Sequence, residues 1–318
     1  MHLNILHLDD ALAGQTAFLD ACSKLEANQV NLRSEGPEAR LWGRTEVLHK
    51  LSARLCVELR GLSSNQPIVT WIGSGDFHHV TALIVSLLAK AREVPVTIVH
   101  IDNHPDWVRF PIGIHCGSWV SHVLENGMVE RVVSLGVSSH DLAWPELKGA
   151  DLSLVASKRL VVFPLDPPLT RVVKDYGAGP AHSCGQHRIT WKQISNAPDE
   201  AALSAVLDTI NTKHIYITID KDALTNTDAQ TNWDHGGFSL DGLLTWLRAL
   251  MAERDVVGLD IVGDYSPVAC GGSRLDRFWK WSESLLDQPF SVIPVEIAAR
   301  TNERSNLKIL KTLEEQLC

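Results

Sequence analysis

No run of more than two Lys or Arg residues occurs in the 318-residue chain, and acidic residues outnumber basic ones by 38 to 29, for a formal net charge of −9 with His neutral. A phosphate backbone is bound by concentrated positive charge, so no nucleic-acid partner is expected. The longest apolar stretch lies near Ala82–Ala89, far short of the roughly 20 residues that span a bilayer, so no membrane partner is expected either. The N-terminus, MHLNILHLDD, has no cationic segment and reaches Asp9 and Asp10 after one short apolar stretch, unlike a secretory leader. The six cysteines (Cys22, Cys56, Cys116, Cys184, Cys270 and Cys318) show no close pairing pattern, which reads as reduced thiols in a cytoplasmic protein. Internal repeats, linkers and low-complexity stretches are absent as well. With 45% hydrophobic and 21% charged residues, the composition is that of a globular protein rather than a disordered one.

What is present is an alternation of short Val/Ile-rich runs and helical patterns. The runs Leu3–Leu8, Ile68–Ile72, Val96–Ile101, Arg131–Val137, Leu160–Pro164, Ile215–Ile219, Val256–Val262 and Ser291–Val295 read as strands. Most are continuously apolar, the mark of strands covered on both faces in a parallel sheet. Helices are expected at Leu48–Arg60, Val80–Arg92, Ala201–Ile210, Leu240–Ala252 and Asn306–Leu317, with Pro198-Asp199 and Ser239 as start signals. The expectation is one α/β domain over residues 1–318: a three-layer α/β/α sandwich with a mainly parallel central sheet of about eight strands. Residues Asp166–Gln186 form the least regular stretch and read as a loop or small excursion.

Three polar clusters follow three of these strands. Gly73-Ser74-Gly75-Asp76-Phe77-His78-His79 comes after Ile68–Ile72, Asp102-Asn103-His104-Pro105-Asp106 after Val96–Ile101, and Asp220-Lys221-Asp222 after Ile215–Ile219. In an open parallel sheet the carboxyl ends of the strands line one crevice, so clusters distant in sequence would meet there. Asp102, His104 and Asp106 are spaced by two residues, as are Asp220 and Asp222, which in extended chain points each set to one side. Carboxylates gathered in this way repel unless cations neutralise them. Two divalent ions would balance four aspartates, and an oxygen-rich set with two imidazoles suits Mn²⁺ best, with Fe, Co, Ni or Zn open.

The order of these motifs resembles the arginase/agmatinase (ureohydrolase) family, over about Ile68 to Pro267. GDFHHVT resembles the family's GDHSIT element with one residue inserted, which makes His78 the expected ligand and His79 the fallback. IDNHPDW is similar to its DAHxD element, ITIDKDAL to its SxDxD element, and GLDIVGDYSP to its later strand with an acidic residue before Pro. The resemblance implies an arginase-like fold and a binuclear-metal hydrolase with two Mn²⁺ per chain. Asp102 and Asp220 would bridge the ions, His78 and Asp106 would complete the first site, and His104 and Asp222 the second. A hydroxide held between the ions would attack a guanidinium or amidine carbon and release urea or a related amide. His115, in GIHCGSW, would carry a proton, and Asp264 would hold the guanidinium NH groups. The family commonly forms trimers or hexamers, although no assembly signal stands out in this chain.

The departures are specific. Thr225-Asn226 stands where the family has Asp-Pro, and Gly263-Asp264 where it has Glu. The stretch from Asp106 to His115 carries Trp107 and Phe110 but none of the Asn/Ser residues that hold an α-carboxylate in arginases, which argues against free L-arginine. Candidate substrates are agmatine-like amines, guanidino acids, formimino-glutamate, simple guanidines or an Arg side chain in a peptide. Ten Trp stand against three Tyr, and Trp107, Trp119 and Trp233 flank the motif loops, where an aromatic face would attract a cationic substrate. His182, Cys184 and His187 form an HxCxxH pattern that lacks a fourth zinc ligand and reads as a plain loop. Metallophosphoesterases and haloacid-dehalogenase-type phosphatases use related motifs in another order or position. The alternatives kept are a zinc deacylase on the same architecture and a catalytically inactive arginase-like binding protein.

Overall fold

The computed structural model describes residues 1–125, 127–289 and 293–317. Eight strands build the central sheet: β1 (His2–His7), β2 (Asn28–Asn31), β3 (Ile68–Gly73), β4 (Val96–Ile101), β5 (Val129–Leu135), β6 (Leu160–Phe163), β7 (His214–Asp220) and β8 (Asp255–Val262). Their spatial order is β2-β1-β3-β8-β7-β4-β5-β6, and every neighbouring pair is parallel. The continuous apolar runs have the predicted cause. In β3, Ile68 and Ile72 pack on one face of the sheet and Val69 and Trp71 on the other, because successive side chains of a strand alternate sides. Helices Thr45–Glu58 and Val80–Arg92 cover the first face. Helices Thr16–Lys24, Leu240–Glu253 and Val295–Leu317 cover the second. This is the expected three-layer α/β/α arrangement.

Two start signals work as read. Asp199 accepts a hydrogen bond from Ala202 N at 2.7 Å, and the Ser239 hydroxyl accepts from Gly242 N at 3.1 Å, each at the N-cap of its helix. Two strand assignments change. The strand not expected is β2, Asn28–Asn31, a polar edge strand in which only Val30 is fully buried. Of the expected strand Ser291–Val295, Ser291 and Val292 lie outside the described residues, and Val295 opens the closing helix. The irregular stretch contributes Thr170–Arg171 and His182–Gly185 to a small antiparallel sheet with Arg188–Trp191. Gln186 and His187 both have positive φ, 50° and 60°, as a two-residue hairpin turn of type I′ requires. The HxCxxH spacing is therefore that of a hairpin.

The sheet order places β3, β8, β7 and β4 side by side at its centre. Since all run the same way, the residues after Gly73, Val262, Asp220 and Ile101 emerge together at one rim. Among the described residues no helix is long and apolar enough to cross a membrane.

Candidate metal centre

Each cluster is held by the turn that ends its strand. After β3, the Ser74 hydroxyl accepts from Asp76 N in a short 3₁₀ turn, and His78 follows directly, ahead of helix Val80–Arg92. After β7, Asp220 accepts from Asp222 N at 3.0 Å, which holds the two aspartates in one tight turn. After β4, the Asp102 carboxylate accepts from His104 N at 2.6 Å. Asp106 takes a left-handed conformation (φ 48°), which short polar side chains tolerate better than most. Glycines make room for the packing. Gly263 has φ 95°, and a Cβ there would stand 2.4 Å from Asp220 Oδ1.

The rim gathers all six expected ligands. His78 Nδ1 lies 3.1 Å from Asp102 Oδ2, 3.2 Å from Asp106 Oδ2 and 3.4 Å from Asp220 Oδ2. His104 Nδ1 lies 2.9 Å from Asp222 Oδ2 and 3.7 Å from Asp102 Oδ1. Asp102 thus faces His78 through one oxygen and His104 through the other. Two groups have donor atoms close enough to share an ion, within 4.8 Å of one another: His78, His100, Asp102 and Asp106, and Asp102, His104 and Asp222. His79 is fully buried, with no hydrogen-bond partner for either ring nitrogen, and belongs to neither group.

Hydrogen bonding selects the tautomer of His78. Thr218 Oγ1 donates to Asp260 Oδ1 at 2.6 Å, and Asp260 also accepts from the Tyr216 hydroxyl at 2.7 Å. With its proton given to Asp260, Thr218 Oγ1 accepts from His78 Nε2–H at 2.9 Å. The lone pair then sits on Nδ1, the nitrogen aimed at the carboxylates, as in a buttressed metal ligand.

The electrostatics express crowding. Burial pushes Asp222 well above the ordinary carboxylate range, and repulsion from Asp102 and Asp220 adds to it. Burial likewise raises Asp106, with the Asp102 charge in support. Burial opposes the charge of Asp102 too, but His100, His104 and His78 together draw its pKa well below normal. His78 and His104 resist charging through burial, yet the surrounding carboxylates hold both well above the ordinary histidine value. The cluster demands positive charge, which protons or cations can supply. A site of buried carboxylates and imidazoles, their donor atoms converging, fits divalent transition metals.

A cavity of about 440 Å³ opens over these groups. The other predicted site residues divide. His115 lines it, and its Nδ1 accepts from Gly117 N at 2.8 Å. Its Nε2–H is therefore free to donate, and it meets Glu283 Oε1. Trp107 and Trp233 also line the cavity. Trp119 does not; it is fully buried, donates from Nε1 to Asp106 Oδ2 at 2.6 Å and packs its ring against His78 and His100. Trp233 donates to Asp76 Oδ1 at 2.9 Å. Asp264 is the main correction. It is fully buried behind the rim, where it accepts from Lys221 Nζ at 2.7 Å and from Gln15 Nε2 at 2.6 Å. Its charge is answered inside the protein, so it is not a floor for a guanidinium.

Several participants were not foreseen. His100, Thr218 and Asp260 lie within apolar strands, where an inward polar residue resembles ordinary core. The spacing of two between His100 and Asp102 was the available signal. Glu283 comes from helix Arg274–Asp287, distant in sequence from every motif.

Comparison with known proteins agrees with this geometry. The family model described as "Arginase family" matches residues 169–270, which include Asp220 and Asp222. An uncharacterized protein of Thermotoga maritima is 24% identical over 216 residues, 68% of this chain and 62% of that protein. The match therefore spans less than two thirds of the relative's length. Solved structures share the fold at low identity. Entamoeba histolytica arginase in complex with L-ornithine superposes with a TM-score of 0.56 at 11% identity, covering 98% of this chain and 99% of that one. A hypothetical agmatinase from Burkholderia thailandensis gives 0.53 at 14%, covering 98% and 84%. Formimidoylglutamase from Bacillus subtilis gives 0.52 at 12%, covering 97% and 87%. Fold and site together define an arginase-fold protein with a buried His/Asp cluster that could bind metal. Over residues 169–270 the chain is similar to the arginase family, and it shares its fold with proteins to which it is only 11–14% identical.

Proposed function

We propose that this chain, acting as one catalytic domain over residues 1–318, is a metal-dependent amidinohydrolase. It cleaves a linear C–N bond of a guanidino or amidino substrate and releases urea or a related amide. The observation that carries the reading is Asp102, placed with one oxygen toward His78 and the other toward His104, as a residue shared by two cations would be. His78, Asp102, Asp106 and Asp220 would hold one ion, and Asp102, Asp220, His104 and Asp222 the other, with Mn²⁺ as the first candidate. Two cations bound there would supply Lewis acidity and hydroxide near neutral pH.

The chain's own residues account for the remainder. His115 lines the cavity and is backed by Glu283, and this pair would exchange a proton with the leaving amine. Trp233 gives the cavity aromatic surface, whereas Trp107, 1% exposed, packs in the core against Trp191, and Trp119 steadies Asp106 from behind. Asp141, Asp234 and Asp287 also line the cavity, and Lys148, the lysine of the wall, is paired with Asp141 at 2.7 Å. That wall suits a cationic or neutral substrate tail better than a carboxylate. The five described cysteines are free thiols, in keeping with work in the cytoplasm. The test is a panel of guanidino and amidino compounds incubated with Mn²⁺-loaded protein and assayed for urea and ammonia. Turnover of at least one cationic or neutral member, lost in His115→Asn with metal retained, is expected. Release only of acyl groups from acylated amines would instead make the protein a deacylase.

A further inference from the structure

The ligand set above leaves His100 unused. It lies inside β4 two residues before Asp102, so both side chains leave the strand on the same side. The ring is completely buried. Its Nε2 stands 2.7 Å from Asp102 Oδ2 and 3.7 Å from Asp106 Oδ2, and its centroid is 5.2 Å from that of His78. Ser134 Oγ, on neighbouring β5, lies 3.0 Å from Nδ1 and braces the ring from the far side, so that a hydrogen bond on the second ring nitrogen can orient the first toward the carboxylates.

The two donor groups therefore differ in chemistry. His78, His100, Asp102 and Asp106 offer two nitrogens and two carboxylates, and Asp102, His104 and Asp222 offer one nitrogen and two carboxylates. The first group is also the deeper one, since the His100 side chain is inaccessible and that of His104 is 15% exposed. Imidazole suits Zn²⁺, Fe²⁺, Co²⁺ and Ni²⁺, whereas carboxylate suits Mn²⁺. We propose that His100 is a fourth donor of the deeper position and makes the two positions unequal. The deeper one selects an imidazole-preferring cation, with Zn²⁺ as the probe, over Mn²⁺, and the outer one accepts Mn²⁺. This inference rests on the two-cation reading above.

His100→Gln tests it, because the Gln amide can keep an N–H directed at Asp102 while the imidazole lone pair is lost. Metal-free wild type and variant are titrated with Zn²⁺ and Mn²⁺ separately. X-ray absorption at the zinc edge, with one equivalent of Zn²⁺ bound, counts imidazole ligands. The expected result is two imidazoles on the zinc in wild type and one in the variant. The preference for Zn²⁺ over Mn²⁺ should fall by about tenfold or more in the variant. One imidazole in the wild-type spectrum overturns the proposal even if the variant does not fold. So does an equal metal preference in the two proteins, which would leave His100 as a hydrogen-bond partner of Asp102 and the hydrolase reading intact. Failure of the wild type to take up either metal would overturn that reading as well.

Discussion

Lys221 reaches Asp264 with its ammonium 2.7 Å from Oδ1, in an ion pair that exposes no surface of either side chain. Lys221 sits between Asp220 and Asp222 yet faces the opposite way, into a buried network with Gln15 and Asn306. The pair ties the aspartate turn to the N-terminal segment and the closing helix. Removing one member strands the other charge in the interior, so Lys221→Met is expected to destabilise the fold by about 3–5 kcal/mol. The double variant Lys221→Met/Asp264→Leu should recover much of that loss, as read from denaturant midpoints. A single variant as stable as wild type would contradict the assigned pair.

Thr218→Val keeps shape and removes the hydroxyl that orients His78. Affinity for divalent metal is expected to fall by about 10–100-fold, and the thermal midpoint of the metal-free protein to fall as well, since His78 Nε2–H and Asp260 each lose a buried partner, at a cost of about 1–3 kcal/mol. Metal titration followed by calorimetry checks both. Unchanged affinity would mean that Thr218 does not set the His78 tautomer.

Gly263→Ala should combine backbone strain with a clash against Asp220. Gly177, with φ 72° and nothing within 4 Å of a Cβ, is the control. Each substitution is expected to cost about 1 kcal/mol or more through the positive φ, but only Gly263→Ala should impair metal retention. Equal metal content in the two variants would refute the link from Gly263 to Asp220.

Lys280 supplies a pH dependence away from the metal centre. Burial lowers its pKa from 10.5 to about 8, although Nζ donates to Glu38 O at 2.7 Å and stands 4.4 Å from the Trp42 ring centroid. Between pH 8 and 10.5 the unfolded chain holds more protons at this group than the folded one, so stability contributed here rises with pH. Relative to Lys280→Met, wild type should gain on the order of 1–3 kcal/mol across that window, measured by urea denaturation. A flat difference would show that Lys280 titrates normally.

The sheet and the six proposed ligands were legible because both are written locally. Buried parallel strands such as Val96–Ile101 are unbroken apolar runs, and the polar residues that interrupt them mark the rim. Strand Asn28–Asn31 was not legible, since an edge strand with a single buried residue carries no apolar pattern. Asp264 was misread because sequence gives the rim to which a residue belongs but not its depth, and here Lys221 holds it behind the crevice. Trp119 likewise faces the ligands from the core rather than the cavity. His100, Thr218 and Asp260 stayed hidden because a polar side chain inside a strand declares its role only when its neighbours are known. Glu283 could not be foreseen at all, as its helix reaches His115 by tertiary packing alone.

The central claim is that Asp102 joins two cation positions. Metal content per chain, measured by mass spectrometry after loading with Mn²⁺ and Zn²⁺ and removal of the excess, tests it most directly. The account predicts two ions in wild type and at most one in Asp102→Asn. A wild type that retains none, or an Asp102→Asn variant that still holds two, would contradict it.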